Sequence, residues 1–255
     1  VRKIVGLACV ALALTACGGT VREKAAPPSS SPPSVAASSA APTEAPTEVV
    51  TGPNVSGCFT EKDGKIFSYG DDLPGVITGK GSVGVVISYE RGGNVCTWRP
   101  LSDRLVAAGY RVLLYARATS AYPEDATVAM AKRLAKEKGV KKLFLVGGSI
   151  GATTAVPAAE KFGQAKVAGV VALSGEIDAA DAAKLTVPLL QVGSENDSYG
   201  GATSLQAAHD AAAKAPDDQL LVIKGGTMHA SELFPSPDGP KVLDTIVAFM
   251  NRHKG

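Results

Sequence analysis

Ser149, Asp197 and His229 are the side chains in this sequence whose types and order could carry nucleophilic chemistry. A serine hydroxyl is a poor nucleophile at neutral pH, so an imidazole has to take its proton and a carboxylate has to orient that imidazole. Ser149 lies within Gly147, Gly148, Ser149, Ile150, Gly151, a G-x-S-x-G stretch that follows the apolar run Leu143, Phe144, Leu145, Val146 and leads into a small-residue helical pattern. Strand, sharp turn, helix is the setting in which this motif holds a serine upright at the edge of a sheet. Gly147 and Gly151 are then needed where a Cβ would collide with neighbouring backbone, while the serine itself is strained. In a chain with 28 glycines the motif also arises by chance, so an ordinary glycine turn stands beside this reading.

The chain has three histidines to supply the base. His209 sits in an alanine-rich helical pattern and His253 in a basic tail, whereas His229 lies in a loop after an apolar run, with Gly225 and Gly226 giving the backbone room to turn. For the acid, Asp197 follows the apolar run 187–192 within Gly193, Ser194, Glu195, Asn196, Asp197. Asp178, at the end of the preceding strand, and Glu195 are its competitors.

On these stretches, VGGSIGATTA around Ser149, PLLQVGSENDSY around Asp197 and IKGGTMHASELF around His229, the segment 58–252 resembles a small α/β-hydrolase of the dienelactone-hydrolase-like and lipase-like kind. The resemblance implies a serine esterase: His229 deprotonates Ser149, which attacks an ester carbonyl, and water later releases the acyl group. It implies no cofactor and no metal. In that family the loop after the first central strand often begins His-Gly-x and donates a backbone N–H to the oxyanion. Aligned on the glycines and Trp98, Tyr89 takes the His place, Glu90 the Gly place and Arg91 the donor place, a departure from the family pattern. The resemblance therefore implies an oxyanion hole made by the amides of Ile150 and Arg91. The same triad also serves amide or peptide cleavage and perhydrolysis. A lipoprotein that binds a cell-envelope ligand on a degenerate hydrolase fold is the reading from another class.

The elements that must position these groups alternate between strand and helix. Short strands are expected at 65–69 and 76–78, and a nearly continuous apolar strand at 83–88, the pattern of a sheet buried on both faces. A helix at 100–108, a strand at 110–116 and a helix within 121–138 follow, the last opened by Pro123, Glu124 and Asp125 and closed by Gly139. Beyond the elbow come strands at 167–174, 187–192 and 219–224 and helices at 204–215 and 241–252. This order predicts a mostly parallel central sheet with helices on both faces and the reacting loops at strand carboxyl ends. The short stretch between 174 and 187 leaves no space for a large lid, so an open site is expected.

The beginning of the chain concerns its address. Arg2 and Lys3 precede an apolar stretch at 4–14, too short to span a bilayer, which takes about 20 residues, and residues 1–16 read as a secretory signal. Leu14, Thr15, Ala16, Cys17 resembles the lipobox of bacterial lipoproteins, which implies lipidation at Cys17 and a chain tethered to the outer side of a cell membrane. Residues 17–55, rich in Pro, Ser, Ala and Thr, cannot bury enough surface to offset their ordering entropy and read as a tether, with the folded domain at 56–255. A formal net charge of +2 gives no basic field for nucleic acid, and the expected partners are a small ester and the membrane through the anchor. Of four cysteines, Cys9 lies in the signal and Cys17 at the lipid site. Cys58 and Cys96 remain, either bridged, as export suggests, or as two buried thiols.

Overall fold

A computed structural model describes residues 52–118 and 121–255. The signal segment, Cys17 and the tether as far as residue 51 lie outside the described residues. Folded structure begins earlier than the composition shift suggests: β1 (Asn54–Val55) pairs antiparallel with β2 (Phe59–Thr60), and Val55 and Phe59 are buried in the core.

The remaining strands form one sheet. They are β3 (Gly64–Tyr69), β4 (Leu73–Thr78), β5 (Val83–Ser88), β6 (Arg111–Tyr115), β7 (Lys142–Gly148), β8 (Val167–Leu173), β9 (Leu189–Ser194) and β10 (Asp218–Ile223), in the spatial order β10-β9-β8-β7-β5-β6-β4-β3. Every neighbouring pair is parallel except those made by β4, which runs antiparallel to both β3 and β6. After β6 the chain returns across β5 to lay down β7 on its other side, so the winding direction reverses between β5 and β7. In open α/β sheets a crevice is expected outside the carboxyl ends of the strands at such a reversal, which here falls beside the paired Ser88 and Gly147.

Helices cover both faces. On one side α1 (Arg99–Ala107) and α6 (Gly239–Arg252) bury Leu101, Leu105, Val242, Ile246 and Phe249 against the sheet. On the other lie α2 (Pro123–Leu134), which buries Val128, Met130 and Leu134, α3 (Ile150–Phe162), whose buried face is mostly alanine and other small residues, α4 (Ala179–Ala182) and α5 (Ala202–Ala211). Small side chains let α3 lie close to β7 and β8, which fixes where its amino terminus meets the sheet. Glu124 and Asp125 in the first turn of α2 both reach Lys161 near the end of α3, at 3.2 and 2.5 Å.

The expected alternation is present, with adjusted boundaries. The strand expected from 187 starts at Leu189, because Pro188 has no N–H to give the ladder, although its carbonyl accepts from Val170 N at 2.8 Å. The helix expected to 138 ends at Leu134 in a run of tighter turns, and that expected at 204–215 runs Ala202–Ala211. The β1–β2 hairpin and the single turn of α4 have too few residues to show a period. Among the described residues no large lid is present: α4 is the one element between β8 and β9.

Cys58, in the hairpin turn, is bridged to Cys96 in the 3-10 turn Val95–Trp98 that precedes α1. Beside the bridge, Arg99 donates to the Cys58 carbonyl, pairs with Asp63 at 2.5 Å and lies 4.8 Å over the Phe59 ring. The hairpin is thus fastened to the segment that follows the crevice loop at residues 89–94. A closed loop of 38 residues corresponds to a chain-entropy gain of about 4 kcal/mol. Urea unfolding of the oxidised domain is therefore expected to show a higher midpoint than that of Cys58→Ser/Cys96→Ser, by no more than about 4 kcal/mol in stability. Equal midpoints would show that the bridge constrains nothing.

Candidate active site

The turn at Ser149 is set by backbone contact. An added Cβ on Gly151 would lie 2.1 Å from the Ser88 carbonyl oxygen, and one on Gly147 would lie 2.2 Å from the Gly151 oxygen, so only glycine fits at either place. Ser149 between them has φ 53° and ψ −122°, in the left-handed half of the map that a residue with a Cβ avoids at a cost of about 1–3 kcal/mol. The surroundings over-determine it: Ser149 N donates to Leu173 O at 2.8 Å, and Thr153 N donates to Ser149 O at 2.9 Å. The serine is mostly enclosed, at 8% exposure, and its hydroxyl makes no hydrogen bond among the described residues.

His229 follows β10 and is held by its Nδ1, 2.8 Å from Asp197 Oδ2 and 3.1 Å from Oδ1. An ionised carboxylate only accepts, so Nδ1 carries the proton and Nε2 is left with a free lone pair. The loop is fixed around this ring by side chains from three other strand ends. Ser194 Oγ donates to Met228 O at 2.7 Å, Ser174 Oγ accepts from Ala230 N at 3.0 Å, and Glu90 accepts from the Ser231 hydroxyl. Within the loop, Glu232 Oε2 accepts from His229 N at 2.9 Å. Ala230 and Ser174 both take positive φ, 46° and 51°. Strain at two further non-glycine residues around one imidazole is the mark of a position held for its geometry.

The loop also approaches the elbow. A Cβ built on Gly148 would stand 3.0 Å from the Ala230 Cβ, so the residue before Ser149 packs against the residue after His229. Tyr199 closes the gap from another direction. Its N–H donates to Asp197 Oδ1 at 3.1 Å, its ring meets the His229 ring edge-on at 5.9 Å, and its hydroxyl lies 3.2 Å from Thr153 Oγ1, one helical turn beyond Ser149. No hydrogen bond joins Ser149 Oγ to the His229 ring among the described residues; hydrogen bonds of this kind are often long in unliganded enzymes and tighten when substrate is bound.

The Ile150 amide lies at the start of α3, and Arg91 is exposed in the loop after β5. Neither amide has an acceptor among the described residues, which leaves both free to meet an anionic oxygen. The root of the Arg91 loop is fixed. Arg117 donates to the Tyr89 carbonyl at 2.9 Å, its backbone N–H donates to the Tyr89 hydroxyl at 3.0 Å, and its guanidinium lies 4.9 Å over that ring. Tyr115, its phenol pushed up by burial and so a neutral donor, bonds Ser88 Oγ at 3.2 Å.

The competing residues are occupied elsewhere. Asp178 caps α4 through Ala180 N at 2.7 Å, and Glu195 pairs with Lys224 at 3.0 Å and Gly225 N at 2.8 Å. Its carboxyl is held below the usual range, chiefly by that Gly225 hydrogen bond. His209 and His253 also face carboxylates, Asp218 and Asp217, each at 2.7 Å, but these lie at the amino end of β10, away from the crevice. A histidine paired with an aspartate therefore does not single out a site in this chain; the sheet edge on which the pair lies does. Among the described residues no group of three or more His, Cys, Asp or Glu side chains is placed to hold a metal.

Tyr199, Ser174 and Ser194 were not singled out from sequence. Ser174 and Ser194 stand at the ends of apolar strand runs, the one signal that could have found them.

No family model matches the chain, and no curated protein matches it. Solved structures do. An esterase of Pyrococcus furiosus superposes with a TM-score of 0.65 at 16% identity, covering 82% of this chain and 99% of that one. A monoacylglycerol lipase of Paleococcus ferrophilus gives 0.62 at 16%, covering 71% and 99%. An α/β-hydrolase from the metagenome of lagoon sediments at Mar Chica gives 0.59 at 16%, covering 75% and 100%. At these identities the likeness is one of architecture, and on it, together with the strand order and the elbow, the chain has the α/β-hydrolase fold.

Proposed function

We propose that the protein is a serine hydrolase that cleaves carboxylic esters, with Ser149 as nucleophile, His229 as base and Asp197 as its orienting acid. The observations that carry the reading are a strained serine at the elbow and an imidazole whose Nδ1 is held by Asp197, leaving Nε2 to accept a proton, in a loop whose Ala230 packs against Gly148 of the elbow. In the first half-reaction His229 Nε2 takes the Ser149 proton as Oγ bonds to the ester carbonyl carbon. The Ile150 and Arg91 amides hold the resulting oxyanion, and the alcohol leaves with the proton from His229. In the second, His229 deprotonates water, which displaces the acyl group and restores Ser149.

Similar architecture in proteins described as esterases and a monoacylglycerol lipase supports the choice of an ester. The lack of any large element between β8 and β9 supports a small, freely diffusing one. Leu14, Thr15, Ala16, Cys17 support the further reading that the enzyme is exported and lipid-anchored, acting outside the membrane.

A domain beginning at residue 52, incubated with a fluorophosphonate probe, is expected to be labelled, and Ser149→Ala is expected to lose both labelling and hydrolysis of p-nitrophenyl acetate, by about 10³-fold or more. Failure of folded wild type to label or hydrolyse would leave a binding protein on a hydrolase fold. Asp197→Asn is expected to lower kcat by about 10⁴-fold with little change in KM, because the amide favours the wrong imidazole tautomer. A wild-type kcat in that variant would remove Asp197 from the mechanism.

A further inference from the structure

We propose that Glu90 is a positioning residue whose buried carboxylate locks the loop bearing the Arg91 amide onto the loop bearing His229, fixing oxyanion donor and base relative to each other across Ser149. The inference rests on the hydrolase reading above.

Glu90 is 8% exposed and, among the described residues, has no cation as a partner. A carboxylate removed from water is costly unless donors replace the lost hydration. Here they come from two separate loops. Trp98 Nε1 donates to Oε2 at 2.7 Å, the Ser231 hydroxyl donates to Oε1, and Thr97 Oγ1 lies 3.4 Å from Oε1. Trp98 and Thr97 belong to the segment that follows Arg91; Ser231 follows His229 by two positions. Room for the carboxylate is built in, since a Cβ on Gly93 would lie 2.6 Å from Glu90 Oε1.

The layer around the carboxylate touches the elbow itself. Trp98 is fully buried, meets Phe234 beyond the His229 loop edge-on at 5.3 Å, and lies where a Cβ on Gly148 would be 2.4 Å from its ring. Glu90, Trp98 and Ser231 thus form a bridge passing beneath the residue that precedes Ser149. The peptide unit joining Glu90 to Arg91 carries the proposed oxyanion donor. A shift of about 1 Å in such a donor or base costs on the order of 10²-fold in rate, so a bond that fixes their separation acts on turnover before it acts on substrate binding.

The test uses the disulfide-intact domain from residue 52, with thermal unfolding to show that each variant is folded. Glu90→Ala is expected to lower kcat for a p-nitrophenyl ester by about 10- to 100-fold with KM changed by less than about threefold. Glu90→Gln is expected to recover most of that loss, because its amide oxygen can accept from Trp98 while its NH₂ donates to Ser231 Oγ. Ser231→Ala is expected to cause a smaller loss, and Glu90→Ala/Ser231→Ala to be no slower than Glu90→Ala alone, since both remove the same link. A folded Glu90→Ala with wild-type kcat, a loss confined to KM, or single-variant losses that multiply would each overturn the inference while leaving the triad standing. An inactive wild type would overturn both.

Discussion

The approach of Gly151 to the Ser88 carbonyl is the contact on which the site depends. With no side chain at either glycine of the elbow, α3 can begin against the end of β5, the chain can turn sharply out of β7, and Ser149 is left in a conformation it would not choose. The strain costs about 1–3 kcal/mol, and the neighbouring backbone supplies what resists it, through Leu173 O and Thr153 N. The same contact puts the ends of β5 and β7, the two sides of the topological reversal, within one backbone diameter. The loop after β5 and the start of α3 therefore border the same space at this edge of the sheet.

The second requirement is that a loop from the far side of β8 and β9 return an imidazole to that space. Loops are ordinarily the mobile part of a fold. Here Met228 O, His229 N, His229 Nδ1, Ala230 N and Ser231 Oγ are each taken by a different partner: Ser194, Glu232, Asp197, Ser174 and Glu90. A hydrogen bond contributes about 1 kcal/mol net, so these do little for overall stability individually. Their effect is to remove alternatives, since moving the loop would leave several buried groups unsatisfied at once. Tyr199 adds a connection between acid, base and elbow helix that passes through neither strand nor sheet.

Much of the architecture was legible in the sequence because its strands are apolar on both faces: 83–88, 142–148 and 167–173 are continuous runs with no competing helical period. Order along the chain then identified Ser149, Asp197 and His229 as candidates without any contact being known. The bridge between Cys58 and Cys96 was open to two readings, since spacing does not bring a hairpin turn beside a 3-10 turn. The hairpin at Asn54 and the turn at α4 were invisible for want of length. Glu90 drew notice only as a departure from a family pattern. That its carboxylate spans two loops 141 positions apart depends on side-chain packing, which no periodicity encodes. Equally, nothing in the residue types distinguished His229 from His209 or His253 as partners of aspartate; the distinction is which edge of the sheet each occupies.

The most direct test of the account is a crystal structure of the domain after reaction with a small alkyl fluorophosphonate, a mimic of the tetrahedral intermediate. The account predicts phosphorus bonded to Ser149 Oγ, the phosphoryl oxygen about 2.7–3.1 Å from the amides of both Ile150 and Arg91, and His229 Nε2 within hydrogen-bond reach of Oγ or of the alkoxy oxygen. A phosphonate bonded elsewhere, or an adduct at Ser149 whose oxygen points away from both amides, would contradict it.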